Sequence, residues 1–134
     1  MNSHHDTVKP NTGYTKDPFL AEEQEGKLFG LGSNDAGGPL VALIATFCHF
    51  LGKDLPFNLI LVASAEEEIS GSQGISSLLS ILPPADLVIV GEPTQMRLAV
   101  AEKGLLVLDA TVKGKAGHAA REEGVNAIYL ALND

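Results

Sequence analysis

Apolar residues fall into short runs along the chain, and the lengths and flanks of these runs predict alternating strands and helices. Residues 27–29 predict a short strand, and residues 39–51 predict a helix that begins at a proline and ends before Gly52. The continuous apolar run 57–63 has the length of a strand that is buried on both faces. Because residues 39–51 are apolar on nearly all sides, we expect this helix to be well buried.

The alternation of strands and helices continues through residues 70–90. Residues 70–82 predict a second helix, which ends at the pair Pro83 and Pro84, and residues 87–90 predict a third strand. The order strand, helix, strand, helix, strand predicts an α/β fold with a mostly parallel sheet, flanking helices and right-handed crossovers.

The pattern changes near Met96, and we place a domain boundary there, between residues 1–96 and residues 97–134. The second part has the patterns of two strands, a turn-rich stretch and the start of a helix, in residues 97–100, 105–113, 114–124 and 125–132. Because the helical pattern stops with the chain, we expect the sequence to be a fragment that contains only the beginning of a second domain.

The composition is that of a folded globular protein. Of the 134 residues, 45% are hydrophobic and 19% are charged, which is not the balance of a disordered chain. The formal net charge is −8 and no basic stripe is present, so we expect no nucleic-acid partner. An acidic balance fits carboxylates that bind cations, and it fits an ordinary soluble surface equally well.

The cysteine content and the hydropathy of the chain indicate its cellular compartment. Cys48 is the single cysteine, which excludes an internal disulfide framework and fits a reducing environment. No apolar run reaches the ~18 residues of a membrane span, and the first residues are polar, unlike those of a signal peptide. We therefore expect a cytoplasmic protein without a membrane partner.

Acidic and imidazole side chains follow the predicted strands, at the ends where α/β sheets bind their ligands. Asp35 follows the first strand, the run 66–68 of three glutamates follows the second, and Glu92 follows the third. His4 and Asp6 would be placed similarly if a strand preceded them. Such ligands, when they converge, bind divalent metals. Each motif alone is more often a turn or a solvated surface, so the hypothesis rests on their ordered occurrence.

The glycine-rich segment 30–38 has an alternative interpretation as a phosphate-binding loop. It lacks the lysine of the G-x-x-x-x-G-K-[ST] motif and the spacing of the G-x-G-x-x-G motif. A metal-binding role for this segment is therefore the better interpretation.

Five motifs together resemble the acetylornithine deacetylase and succinyl-diaminopimelate desuccinylase family, which also includes aminoacylases and carboxypeptidases. They are SHHDTVKP at 3–10, LGSNDAGG at 31–38, AEEEISG at 65–71, VGEPT at 90–94 and GKAGHAA at 114–120. The resemblance implies a zinc-exopeptidase-like catalytic domain in residues 1–96. It also implies the start of a smaller α+β lid and dimerisation domain in residues 97–134.

The resemblance also implies a dinuclear metal site. Four positions of the family pattern bind two divalent ions, with Asp35 bridging them: His4, Asp35, Glu68 and Glu92. Zinc is the first choice, and cobalt or manganese suit similar ligands. In this family the peptide bond after the bridging aspartate, here Asp35–Ala36, is a candidate for cis geometry.

Three further positions have implied catalytic roles. Asp6 lies behind His4 and orients it, and Glu67 is the general base. His118 belongs to the lid and reaches the substrate carbonyl, often from the partner subunit of a homodimer.

The reaction that the resemblance implies is metal-dependent hydrolysis of the amide bond of an N-acyl amino acid, in arginine or lysine biosynthesis. The segments 90–94 and 101–104 favour the deacetylase and desuccinylase branch. A dipeptidase or carboxypeptidase of the same family is one alternative, and a non-catalytic metal-binding or dimerising fragment is another. Because the last metal ligand of the family is a downstream histidine, we expect the 134-residue piece alone to be inactive.

Overall fold

The part of the chain that the structure describes contains seven strands and helices in a small α/β arrangement. The computed structural model describes residues 1–118, 120–121 and 123–132. The strands are β1 (Asn2–His4), β2 (Glu22–Gln24), β3 (Lys27–Phe29) and β4 (Val62–Ser64), and the helices are α1 (Gly38–Phe50), α2 (Ile75–Leu78) and α3 (Ala127–Ala131). A π-type turn, Ser33–Gly37, precedes α1 directly. The chain divides into two compact units, Met1–Leu98 and Ala99–Asp134.

A short parallel sheet organises the first unit. Strands β1 and β4 pair in parallel, with Asn2 opposite Val62 and His4 opposite Ser64. Asn2 also forms a parallel bridge to Val90. Three segments that are distant in sequence therefore run side by side, with their carboxyl ends at one edge, which confirms the α/β prediction.

The predicted strands 57–63 and 87–90 are shorter than expected. Only residues 62–64 of the first region are strand, and the second contributes a single bridge at Val90. A strand is defined by its ladder of hydrogen bonds to a neighbour. Because β1 has three residues, it offers partners only to the stretches directly beside it.

Helix α1 confirms the predicted helix 39–51 but not its predicted burial. Pro39 lies in the first turn of α1, and Gly52 follows the helix with a φ of 74°. No residue of α1 is buried, and Cys48 is exposed as well. The prediction of a well-buried helix is wrong, because the packing of α1 against β1 and the Ser33–Gly37 turn leaves every residue of the helix at least partly exposed.

Strands β2 and β3 form a separate antiparallel hairpin. Its antiparallel register joins Gln24 to Lys27, so Glu25 and Gly26 form a two-residue turn. Both turn residues have positive φ values, 54° and 72°, as the twist of a tight hairpin requires. Lys16 forms an ion pair with Glu22 and lies 4.5 Å from the centre of the Phe29 ring. The sequence predicted β3 but not β2.

The second unit has little regular structure. Lys115 and Val125 form an antiparallel bridge, and the Asn126 side chain accepts a hydrogen bond of 2.9 Å from Ile128 N at the start of α3. The predicted strands 97–100 and 105–113 are wrong, since no strand forms in residues 97–113, all of which are described. Leu105, for example, is 88% exposed, because no neighbouring strand pairs with this segment. The assignment of residues 97–134 to a lid stays a prediction.

A helix that crosses a membrane must be both long and apolar. In the part of the chain that the structure describes, no helix has the length and apolar character needed to span a membrane.

Candidate metal centre

The carboxyl edge of the parallel sheet brings several site residues together. Strand β1 ends at His4, and β4 leads directly into the segment of Glu67 and Glu68. The bridge at Val90 places Glu92 at the same edge, and the turn that carries Asp35 packs on β1. Parallel strands end on one side of a sheet, so residues from four regions of sequence converge there.

The carboxylate cluster consists of His4, Asp35, Glu67, Glu68 and Glu92. His4 Nε2 lies 3.1 Å from Asp35 Oδ1 and 3.8 Å from both Glu67 Oε2 and Glu92 Oε2. Ligand atoms of His4, Asp35 and Glu68 all lie within 4.8 Å of one another. Zinc ligands lie ~2.0–2.2 Å from the ion, so two ligands of one ion are separated by no more than about 4.4 Å. The distances of 3.1 and 3.8 Å from His4 Nε2 to Asp35, Glu67 and Glu92 meet this limit.

The hydrogen bonds of His4 fix its orientation. The ring is 1% exposed, and Nδ1 lies 3.0 Å from the carbonyl oxygen of Asp6. A carbonyl oxygen only accepts, so Nδ1 donates its proton and Nε2 points at Asp35. In a neutral ring Nε2 is an acceptor that faces a carboxylate oxygen at 3.1 Å. His4 Nε2 and Asp35 Oδ1 are then both acceptors, so their short contact requires a proton or a cation between the two atoms.

The pKa of His4 reflects the same surroundings. Burial lowers this pKa, but the hydrogen bonds to Asp35 and to the Asp6 carbonyl, with the charges of Glu92 and Glu67, outweigh burial and raise the pKa above 6.5. The carboxylates thus favour positive charge at His4 Nε2. A divalent cation would supply that charge in place of the proton.

Asp6 contacts both sides of the site. Its carboxylate accepts hydrogen bonds from the backbone nitrogens of Glu67, at 3.3 Å, and of Glu68, at 3.2 Å. Its distance to His4 Nδ1 is 3.5 Å, longer than the 3.0 Å of the Asp6 carbonyl. Burial raises the pKa of Asp6, but the two backbone N–H groups and His4 outweigh burial and lower the pKa below 3.8. The carbonyl of Asp6 orients His4, while the carboxylate holds the glutamate segment.

Ser3 is a supporting residue that the sequence interpretation missed. It is fully buried, and its hydroxyl donates a hydrogen bond of 2.8 Å to the carbonyl of Gly91, next to Glu92. Gly91 N also donates to the carbonyl of Asn2, at 2.8 Å. These bonds fix the spacing between His4 and Glu92. The polar residues of β1 give no alternating hydrophobic pattern, so no sequence signal marks this strand.

The turn that presents Asp35 departs from helical geometry. Asp35 has φ −115° and ψ 104°, and its peptide bond to Ala36 is cis, as the family resemblance implied. Gly32 has a φ of 73°, and a Cβ there would overlap the Thr7 side chain, so glycine is required at this position.

Comparison with known proteins gives the family. Residues 1–128 match the sequence model of Peptidase family M20/M25/M40. The chain belongs to this family. All seven predicted site residues lie within the matched residues 1–128. The members of this family are metal-dependent hydrolases.

Among the proteins that are similar to this chain are several acetylornithine deacetylases. That of Proteus mirabilis (strain HI4320) is 38% identical over 131 residues, which are 95% of this chain and 33% of the relative. That of Buchnera aphidicola subsp. Schizaphis graminum (strain Sg) is 34% identical over 134 residues, which are 97% of this chain and 35% of the relative. That of Shigella sonnei (strain Ss046) is 35% identical over 131 residues, which are 95% of this chain and 34% of the relative. The chain spans about a third of the length of these relatives.

The donor set of this M20/M25/M40 chain fits a divalent metal. It combines one buried imidazole with several carboxylates, which are ligands that zinc and cobalt accept. The carboxylates repel one another unless a cation offsets their charge. Asp35 is the carboxylate closest to His4 and also belongs to the group that includes Glu68.

His118 lies in the second unit. Its ring is exposed, and its Nδ1 accepts a hydrogen bond of 3.2 Å from the backbone of Ala120. The five residues of the carboxylate cluster all belong to the first unit. The role of His118 at a substrate carbonyl stays a prediction.

Proposed function

We propose that this chain carries the metal-binding and general-base residues of an amidohydrolase that removes the acyl group from an N-acyl amino acid. The observation that carries the proposal is the convergence of three carboxylates on His4 Nε2 at the carboxyl edge of the sheet, with Glu68 grouped beside His4 and Asp35. The family match and the acetylornithine deacetylase relatives support the reaction class.

In this proposal the carboxylate cluster holds two divalent ions, zinc in the first place and cobalt as the alternative. His4 and Glu92 would hold one ion, Glu68 would hold the other, and Asp35 would serve as a ligand of both. Two ions at such a site polarise a carbonyl group and lower the pKa of bound water. The 3.1 Å contact of His4 with Asp35 and the shared group of His4, Asp35 and Glu68 support this assignment.

Glu67 is the proposed general base. It accepts the proton of the attacking water on its carboxylate and then passes that proton to the leaving amine nitrogen. Its side chain is half exposed and so accessible to water and substrate. Glu67 Oε2 is as close to His4 Nε2 as Glu92 Oε2 is, so its assignment as base rests on the family pattern. Asp6 holds the backbone of Glu67 and Glu68 by two hydrogen bonds. Glu67 can therefore transfer a proton while Glu68 keeps its position.

The names of the relatives support a proposal for the substrate class. An acetylated amino acid of the acetylornithine kind, in cytoplasmic arginine biosynthesis, is the proposed substrate. Residues 97–134 form the start of a lid through which the protein forms a homodimer, and His118 donates a hydrogen bond to the substrate carbonyl. A dipeptidase or carboxypeptidase of the same family, or a non-catalytic metal-binding fragment, is the alternative.

The activity test requires a protein of the relatives' length, because the chain spans about a third of it. In a chimaera, this chain replaces the matched third of the Proteus mirabilis relative. The purified chimaera receives zinc or cobalt, and hydrolysis of acetylornithine, acetylcitrulline, succinyl-diaminopimelate and dipeptides is measured, with the unmodified relative as the control. We expect the highest kcat/KM on an N-acetyl amino acid.

Two outcomes would change this proposal. Faster hydrolysis of dipeptides than of acetylated amino acids would favour the peptidase alternative. A chimaera with the circular dichroism and metal content of the relative, but without hydrolysis of any substrate, would contradict a catalytic role.

A further inference from the structure

The run of three glutamates after β4 does not act as one group. Glu67 and Glu68 face the His4 side of the site. Glu66 instead folds over its own loop, where its Oε2 accepts a hydrogen bond of 2.9 Å from the backbone nitrogen of Gln73. Glu66 is therefore the member of the run whose carboxylate contacts the loop rather than the cluster.

Several backbone features shape this loop, which comprises residues 66–74. Glu66 has a φ of 55°, so the chain turns sharply as soon as it leaves β4. The Glu66 carbonyl accepts a hydrogen bond of 2.8 Å from Gly71 N. The loop thus closes on Glu66 through both its carbonyl and its carboxylate. This closure explains why the predicted helix 70–82 is wrong in its first part and α2 begins only at residue 75. The prediction is also wrong at its end, since α2 ends at residue 78.

Two glycines allow the loop to close. A Cβ on Gly71 would overlap the Glu66 side chain, and a Cβ on Gly74 would lie 2.7 Å from the carbonyl oxygen of Ala65. Such distances exclude a larger residue unless the loop shifts. The sequence therefore contains small residues where the Glu66 side chain and the β4 exit pack on the loop.

We infer that Glu66 is a positioning residue, whose carboxylate closes loop 66–74 and thereby fixes Glu67 and Glu68 at the metal centre. Where it concerns the roles of Glu67 and Glu68, this inference rests on the proposed function. A carboxylate is a strong acceptor for a backbone N–H group. Asp6 holds the Glu67 and Glu68 nitrogens from the β1 side, and Glu66 holds the far end of the same segment at Gln73.

The test compares four variants of this chain within the chimaera described above. Glu66→Ala removes the acceptor, and Glu66→Gln keeps an amide oxygen that can accept from Gln73 N. Gly71→Ala retains the carboxylate but displaces it. Glu23→Ala removes an exposed carboxylate from β2 and serves as the charge-matched control. Hydrogen exchange of the Gln73 amide and zinc affinity, by competition with a chelator, are measured for each variant.

The expected results separate the loop contact from general loss of structure. Exchange of the Gln73 amide should be at least about tenfold faster in Glu66→Ala and Gly71→Ala, and within about threefold of the unmodified chain in Glu66→Gln. Zinc affinity should fall about tenfold in the first two variants, in parallel with exchange. Glu23→Ala should match the unmodified chain in both measurements.

Each other outcome has a defined meaning. Unchanged exchange of Gln73 in Glu66→Ala would overturn the contact itself. Faster exchange with unchanged zinc affinity would overturn the positioning role. If the unmodified chimaera and all of its variants bound no zinc, the proposed function would fail, while the exchange data would still decide whether Glu66 closes the loop.

Discussion

The Asp6 carboxylate oxygen Oδ2 lies 3.2 Å from the backbone nitrogen of Glu68, although the two residues are 62 positions apart in the sequence. This bond joins the segment after β1 to the segment after β4. It couples the orientation of His4, which the Asp6 carbonyl sets at 3.0 Å, to the position of the glutamates. Asp6 therefore positions both His4 and the glutamates of the carboxylate cluster.

The substitution Asp6→Asn tests this coupling. An asparagine presents one acceptor and one N–H₂ group, so it satisfies one of the two backbone donors and opposes the other. We expect zinc affinity to fall about 10–100-fold, as is typical when a residue behind metal ligands is changed. Competition with a chelator measures it. Asp54→Asn, at an exposed position, is the control, and equal affinities of the two variants would contradict the coupling.

The substitution Ser3→Ala tests the tie between β1 and Gly91. The buried hydroxyl of Ser3 donates to the Gly91 carbonyl at 2.8 Å. Without the Ser3 hydroxyl, the Gly91 carbonyl loses this hydrogen-bond donor. We therefore expect the free energy of unfolding to fall by about 1–2 kcal/mol. Urea denaturation measures this change. Ser76→Ala, at an exposed position of α2, should change the free energy of unfolding little, and a similar loss in both variants would argue against the bond.

The pH dependence of metal binding tests the environment of His4. The pKa of His4 is raised in the metal-free protein, and a metal binds only the deprotonated Nε2. Affinity for zinc should therefore fall as the pH drops through this raised pKa, and binding near neutral pH should release a proton. The same raised pKa means that protonated His4 stabilises the metal-free fold below its ordinary pKa. That stabilisation is lost as the pH rises through the raised value.

Calorimetry in buffers of different ionisation enthalpy, from about pH 6 to about pH 8, measures the proton release. His5→Ala is the matched control, because His5 is the exposed neighbour of His4. In the chimaera, His5→Ala should keep the pH dependence of the unmodified protein, whereas His4→Ala should abolish tight binding. An affinity that does not change over this pH range would contradict a role for His4 Nε2 in metal binding.

Glutamine substitutions in the chimaera test the division of labour between Glu67 and Glu68. Glu67→Gln should retain the metal content and lose about 10²–10⁴-fold in kcat, because proton transfer is removed. Glu68→Gln should lose metal first, and excess zinc should restore part of its activity. Metal content and kcat of the two variants are measured side by side. The reverse pattern would show that the roles of the two residues are exchanged.

The sequence alone determined the parts of the fold that depend on local pattern. Helix α1 follows from an apolar run between a proline and a glycine, and β3 follows from its short apolar segment. The order of acidic motifs after strand-like runs predicted which regions would meet at one edge of the sheet, because parallel strands end on the same side. The structure brings His4, Asp35, Glu68 and Glu92 together there.

Only the tertiary structure decided how these residues are held. Strand β1 is polar and exists because β4 and Val90 pair with it, and no hydrophobic alternation marks it. The bonds of Ser3 to Gly91 and of Asp6 to Glu68 join residues 88 and 62 positions apart. Periodicity reports which face of an element is apolar, but it carries no information about hydrogen bonds between side chains and a distant backbone. Those bonds form only where pairing of the strands has already brought the two segments within about 3 Å of each other.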